Sequence, residues 1–252
     1  MKFVCKVKKK EQNEQRKYRK MIPKIIHYCW FGRNPLPESA LKCIASWRKF
    51  LPDYEIREWN EDNFDVNIIP YTQQAYEAKK WGFVTDYARL ETVYKYGGIY
   101  FDTDVELIKP IDDLLYNYAF FGFGNYGRVA TGLGFGAIKA HGAIETLMNV
   151  YNDISLYKED GSIDISTNTM HEESAFLKMG LTPDDSFQRR GSIVFLTSDF
   201  LSPLVPGFNK PRITENTMSI HHNQFSWGNP DELESVKDSE RAVVRIRNRF
   251  KR

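Results

Sequence analysis

Cysteine is scarce in this chain. Three among 252 residues (Cys5, Cys29 and Cys43) cannot form a complete disulfide set and lack metal-ligand spacing, which points to a reducing compartment. No apolar run approaches the roughly 20 residues that a membrane-spanning helix needs. Met1-Lys2-Phe3-Val4-Cys5-Lys6 is too short in its apolar part for a signal peptide. These absences lead to an expectation of a cytoplasmic protein. No internal repeat is visible. A phosphate-loop Lys-Ser/Thr is missing, and Gly132-x-Gly134-x-Gly136 departs from the dinucleotide spacing, so neither nucleotide fingerprint applies.

What is present suits a folded body. Hydrophobic residues make up 42% and aromatics 14%, enough for a core in one large domain or a core with an appended lobe. The formal net charge of +2 is unevenly spread: residues 1–20 carry +7, residues 236–252 carry +5, and the body between carries −10. An acidic body argues against nucleic acid as a partner. The basic ends suit either solvated tails or peripheral contact with an anionic membrane, at about 1 kcal/mol per well-placed Lys or Arg. Residues 1–20 have almost nothing to bury and read as a flexible extension, with Met21 as a candidate natural start. A catalytic domain is expected over 21–235, followed by a basic tail or helix over 236–252.

The body reads as α/β. Ile25 to Trp30 is a strand buried on both faces, ended by Gly32 and Asn34-Pro35-Leu36-Pro37. Ser39 to Phe50 places Leu41, Ile44, Trp47 and Phe50 on a helical stripe, and Tyr54 to Trp59 alternates as a half-buried strand. Strand, helix, strand in that order suggests a parallel sheet. A short helix is expected over Gln73 to Trp81 with Gly82 as its stop, then an unbroken helix over Val84 to Tyr94 carrying Asp86 and Arg89 on one face. Taken alone, such an i,i+3 pair is most often a surface salt bridge. Gly97 fits a helix-closing position, and Gly98 leads a strand on which Ile99 and Phe101 face one way and Tyr100, Asp102 and Asp104 the other. Phe120 to Gly136 reads as closely packed strands whose aromatic faces would wall a sugar pocket. Ile144 to Leu156 is helical in period, Thr167 to His171 is a polar loop before another helix, and Ile193 to Leu196 is a late strand.

Two carboxylates on one face repel each other unless a cation sits there, and a divalent metal is the simplest candidate. With sixteen Asp in the chain, an Asp-x-Asp triplet is expected about once by chance, so context has to carry the assignment. Carboxylates with few other ligands suit Mg²⁺ or Mn²⁺, and a nitrogen from His221 or His222 would favour Mn²⁺. Trp30, at the carboxyl end of the first strand, either stacks on a base or belongs to the core. Two rival classes are a glycoside hydrolase with Asp102 and a second carboxylate as acid and base, and a non-catalytic sugar-binding module.

Taken together, Ile22 to Gly32, Asp86-Tyr87-Ala88-Arg89, Tyr96 to Asp104, and His221-His222 with Ser226-Trp227 resemble the DXD-containing sugar transferases of glycosyltransferase family 32, over about residues 21–228. More distantly, the chain is similar to the glucosylating domains of large clostridial toxins. The resemblance implies a GT-A fold, with a Rossmann-like, mostly parallel sheet flanked by helices. It implies transfer of a hexose from a nucleotide sugar, UDP-linked rather than GDP-mannose, with retention at the anomeric carbon. The acceptor would be a glycan or lipid-linked sugar in surface (capsular) polysaccharide synthesis. By that analogy Trp30 stacks on the base, with Gly98 and Tyr100 also at the donor. Asp86 and Arg89 bind the sugar and diphosphate side, Asp102 helps hold the metal, and Asp104 binds it directly. His221 or His222 supplies a third ligand, and Ser226 and Trp227 close over the diphosphate. With no obvious carboxylate nucleophile, front-face attack assisted by the leaving diphosphate is the expected route. The chain departs from eukaryotic members in having no amino-terminal anchor, which fits a bacterial enzyme. It also lacks an acidic residue in Gly124-Asn125-Tyr126-Gly127, which leaves donor and acceptor specificity open.

Overall fold

A computed structural model describes residues 22–124, 127–203 and 211–224. The extension over 1–20 and the tail over 236–252 lie outside the described residues.

The first strand, β1 (Ile25–Cys29), lies inside the sheet between two parallel neighbours, β2 (Glu55–Trp59) and β3 (Gly98–Tyr100). Helix α1 (Glu38–Phe50) crosses from β1 to β2, with Glu38 in its first turn and Arg48 and Lys49 in its last, each complementing the helix dipole. Its buried face is Ala40, Cys43, Ile44 and Trp47. Leu41, expected on the stripe, is 50% exposed because the true stripe begins one residue earlier on a small side chain.

Helix α2 (Pro70–Glu77) begins with proline at its first position, where no amide hydrogen is needed. Helix α3 (Trp81–Tyr96) follows after Lys79, which sits at φ +57. The expected stop at Gly82 is therefore corrected: the break falls at Lys79, and Gly82 is in the first turn of α3. This helix is buried nearly all round, from Phe83 and Val84 through Asp86, Ala88, Arg89 and Leu90 to Val93, so it sits inside the protein. It ends at Gly97, whose φ of +69 turns the chain into β3.

A second small sheet pairs β4 (Val105–Leu107) with β9 (Ser219–His221). The main sheet continues through β5 (Ala119–Gly122), β6 (Phe135–Ala137), β7 (Gln188–Arg190) and β8 (Ile193–Leu196), giving the order β2-β1-β3-β6-β5-β8-β7. Five strands run one way, with β6 and β7 against them. The remaining α-helices among the described residues are α4 (Gly142–Asn152), α5 (Asn168–Lys178) and the short α6 (Ser198–Leu201), and a 3-10 helix spans Asp112–Tyr116. Residues Asn168 to His171 thus open α5 rather than form a loop. The architecture is mixed α/β with a mostly parallel seven-stranded sheet flanked by helices, the class expected from the sequence.

Strand alternation sorts side chains into two cores. Tyr100, Phe121, Phe135 and Phe195 pack with α3, α4 and α5, whereas Ile99, Phe101, Phe120 and Val194 pack with Trp47 and Leu201. Phe120, Phe121, Phe123 and Phe135 are fully buried, so they build the core and do not offer faces to a sugar. Trp47 ties α1 to the second sheet by donating its indole N–H to the Val105 carbonyl at 2.7 Å.

His27 fastens β1 to both neighbours. Its Nδ1 accepts from Trp59 Nε1 at 3.0 Å and its Nε2 lies 2.8 Å from the Gly97 carbonyl, which requires the neutral ring with hydrogen on Nε2. Burial lowers its pKa from 6.5 to about 4. The unfolded chain therefore takes up a proton that the folded chain refuses, and stability is lost as pH falls from 6.5 towards about 4. The full effect is about 3 kcal/mol. Urea midpoints measured from pH 7 to pH 4 are expected to fall in the wild type. That slope is expected to flatten in His27→Gln, which keeps a donor and an acceptor but does not titrate.

Candidate active site

A cleft of about 680 Å³ opens at the carboxyl ends of β1, β3 and β5, the edge where α/β sheets place ligands. Trp30 and Trp81 are among the residues that line it, the buried Asp86 and Arg89 form its floor with Asp102 and Asp104, and Gly132 and Thr167 to Thr169 also line it. Trp30 is partly buried and donates its indole N–H to the Asn34 carbonyl at 2.7 Å.

The two aspartates are not on a strand, as the alternation suggested. β3 ends at Tyr100, and Asp102 and Asp104 belong to the turn between β3 and β4, in which Val105 N–H donates to the Asp102 carbonyl. The turn still brings their carboxylates to one place, and the β4–β9 pairing sets His221 opposite Val105 beside them. One ligand atom each from Asp102, Asp104 and His221 lies within 4.8 Å of the others. His221 Nε2 is 3.2 Å from Asp104 Oδ1, and the Gln224 amide donates to Asp104 Oδ2 at 2.8 Å. Burial pushes the Asp104 pKa up, but His221 and the Gln224 N–H more than offset it and bring it to about 2. The same partnership raises His221 against the opposing effect of burial. His222, the other candidate, points elsewhere: its Nε2 is 3.0 Å from Glu106 and partly exposed.

Asp102 is held from three sides. Its amide donates to the Gly132 carbonyl at 3.1 Å, Tyr100 donates its hydroxyl to Oδ1 at 2.8 Å, and Arg89 Nη2 approaches the same oxygen at 3.3 Å. Arg89 also pairs with Asp86 at 3.2 Å, with both residues buried. This is a buried charge pair and not the surface bridge that local spacing favours. Burial raises Asp86 to about 7, with Arg89 restraining the rise. Burial also raises Asp102, again opposed by Arg89.

Residues 37–121, from the start of α1 through most of β5, match the family model described as the glycosyltransferase sugar-binding region containing the DXD motif. This part of the chain is a DXD-containing glycosyltransferase region. It includes Asp86, Arg89, Asp102 and Asp104, and excludes Trp30 and His221. The chain is 34% identical over 99 residues to inositol phosphoceramide mannosyltransferase 3 of Schizosaccharomyces pombe, a match covering 38% of this chain and 28% of that protein. It is 26% identical over 220 residues to an uncharacterized glycosyltransferase of Acanthamoeba polyphaga mimivirus, covering 82% and 84% of the two chains. Against the first three curated relatives it matches, it spans 28–31% of their length. Among solved structures it is similar to the galactosyltransferase LgtC at a TM-score of 0.41 and 14% identity, covering 85% and 95% of the chains. It is also similar to the PaToxG glycosyltransferase at 0.48 and 14%, covering 71% and 78%.

Around this glycosyltransferase region the structure gathers Trp30, Asp86, Arg89, Asp102, Asp104 and His221 at one cleft. Tyr100 is fully buried beneath the floor and reaches the site through its hydroxyl on Asp102. Gly98 is not among the cleft-lining residues. It lies at the other end of β3, where a Cβ would come within 2.8 Å of His27 Nε2 and the Ile25 carbonyl. Ser226 and Trp227 lie outside the described residues.

Gly132 was singled out in the sequence only as part of a glycine-rich run, yet a Cβ there would stand 2.3 Å from Asp102 Oδ2. Asn168 and Glu172 carry no site signal in the sequence, since a polar residue early in an amphipathic helix reads as solvated, and Thr131 is legible only as part of the Phe120 to Gly136 stretch. Gly132→Ala is expected to unseat the Asp102 carboxylate and cost about 1–3 kcal/mol, read from denaturant midpoints. Gly142→Ala is the control, since nothing lies within 4 Å of the added methyl, and it is expected to leave the midpoint within about 0.5 kcal/mol.

Proposed function

We propose that the chain is a divalent-metal-dependent glycosyltransferase that moves a hexose from a nucleotide sugar to a glycan or lipid-linked acceptor, with retention at the anomeric carbon. The observation that carries this is the meeting of Asp102, Asp104 and His221 within 4.8 Å in the cleft of a chain with a DXD-containing glycosyltransferase region. Two carboxylates and one imidazole are the donor set of an Mn²⁺ or Mg²⁺ site that keeps positions open for phosphate oxygens. Asp104 and His221, with Asp102, would hold the ion, and His222 is turned away to Glu106. When bound, such an ion neutralises charge on a departing diphosphate.

The chain's own residues do the rest by orientation. Tyr100 and Arg89 fix the rotamer of Asp102, and the Gln224 amide fixes Asp104. Arg89 is a buried cation on the cleft floor, placed to meet anionic or hydroxyl oxygens of a donor alongside Asp86. Trp30 offers an aromatic surface at the cleft wall for a base. The hydrolase alternative is less supported, because carboxylates that flank a glycosidic bond stand about 5–9.5 Å apart on opposite sides of it. Asp102 and Asp104 converge with His221 on one point instead.

The donor is proposed as UDP-linked, in surface polysaccharide synthesis by a cytoplasmic enzyme. The mannosyltransferase names of the curated relatives favour a second reading with a mannose donor. The basic stretches over 1–20 and 236–252 support contact with an anionic leaflet.

Asp104→Asn is expected to lower transfer at least about 100-fold, as is removal of metal by EDTA, with Mn²⁺ restoring the wild type but not the variant. Full activity in EDTA would contradict the metal role. A thermal-shift screen of UDP, GDP and their sugars with and without Mn²⁺ separates the two donor readings. The account expects UDP to stabilise the protein more than GDP, and only when metal is present.

A further inference from the structure

Behind the cleft wall lies a carboxylic acid that the proposed chemistry does not use. Glu172, on the first turns of α5, is fully buried. Its Oε1 accepts from the Tyr151 hydroxyl at 2.9 Å, and both its oxygens lie within 3.2 Å of the Thr131 hydroxyl. Thr131 is itself fully buried and is the junction of the set. The Asn168 side-chain amide donates to its hydroxyl at 2.8 Å, and Arg89 Nη1 stands 3.5 Å from it. Asn168 and Arg89 both line the cleft, whereas Thr131, Glu172 and Tyr151 do not.

Isolated burial of a carboxyl is costly, and packing alone would be served by an apolar side chain. Burial raises the Glu172 pKa to about 8, against the pull of Arg89. The carboxyl accepts from both the Tyr151 and the Thr131 hydroxyls, which leaves the Thr131 oxygen free to accept from Asn168.

We propose that Glu172 is a positioning residue for the sugar end of the cleft: acting through Thr131, it fixes the Asn168 amide that meets the hydroxyls of the transferred hexose. Its short link to the cleft is Asn168, 2.8 Å from the Thr131 hydroxyl, whereas Arg89 stands 3.5 Å from that hydroxyl and keeps Asp86 and Asp102 as its own partners, so the effect falls on the hexose and spares the nucleoside diphosphate. The inference rests on the glycosyltransferase reading above.

The test is calorimetric binding in Mn²⁺ of UDP against UDP-glucose, and of GDP against GDP-mannose, to the full chain and to Glu172→Gln, Glu172→Ala and Thr131→Val. Glu172→Gln, isosteric and neutral, is expected to bind both classes within about two-fold of wild type. Glu172→Ala and Thr131→Val are expected to lose about ten-fold or more for the nucleotide sugar while binding the matching diphosphate unchanged. Equal loss for both, or no loss for either, would overturn the assignment. Thr131→Val keeps the test open if Glu172→Ala does not fold, because it removes only the junction hydroxyl. A wild type that binds no nucleotide at all would instead overturn the glycosyltransferase reading itself.

Discussion

Everything at the cleft floor depends on one guanidinium taken out of water. Arg89 is 4% exposed, and it can be so only because Asp86 and Asp102 share its charge at 3.2 and 3.3 Å. Breaking a buried charge pair by removing one partner costs about 3–5 kcal/mol. Each of the three groups is therefore needed by the others. The ring of Tyr100 adds a face 5.3 Å below the guanidinium carbon, and its hydroxyl claims the same Asp102 oxygen. Helix α3, which supplies Asp86 and Arg89, is consequently an interior helix, and the turn after β3 must arrive where its carboxylate completes the set.

That constraint links fold to chemistry. The Gly97 turn converts α3 directly into β3, so the cation and the carboxylate that neutralises it come from a single helix-turn-strand unit. Asp104 stands one step further along the same turn, outside the reach of Arg89, and takes His221 instead. The two aspartates thus have different partners from different parts of the chain, Arg89 for Asp102 and His221 for Asp104. Asp102 is anchored by the floor, and Asp104 is held by groups from β9 and the residues after it. A divalent ion held between them would have one ligand anchored to the floor, Asp102, a second in the turn before β4, Asp104, and a third on β9, His221.

How much of this could be read from the residues alone depended on how local each signal was. Ile99 and Phe101 on one face with Tyr100 on the other followed from the two-residue period of a strand, and the structure has them in separate cores. Asp86 and Arg89 on one face followed from helical spacing. Their burial did not, because nothing local says which side of a helix meets the core. The α1 stripe was misplaced because Ala40 and Cys43 are small and weak as apolar signals beside Leu41, which is exposed. Propensity marks Gly82 as a stop, while the chain breaks at Lys79, whose left-handed φ closes α2 with the Lys79 N–H on the Tyr76 carbonyl and the Lys80 N–H on the Ala75 carbonyl. β7 and β9 are three residues each and exist only through their ladders to distant strands. The choice between His221 and His222 turned on that same ladder: β9 ends with the first of the two, which leaves the second to turn to Glu106.

The central claim is that Asp102, Asp104 and His221 are the ligands of one divalent ion. Electron spin echo spectroscopy of Mn²⁺ bound to the full chain addresses it most directly, since a coordinated imidazole imprints a nitrogen modulation on the signal. The account predicts that modulation in the wild type and in His222→Ala, and its loss in His221→Ala. A modulation that survives in His221→Ala, or that vanishes only in His222→Ala, would contradict it.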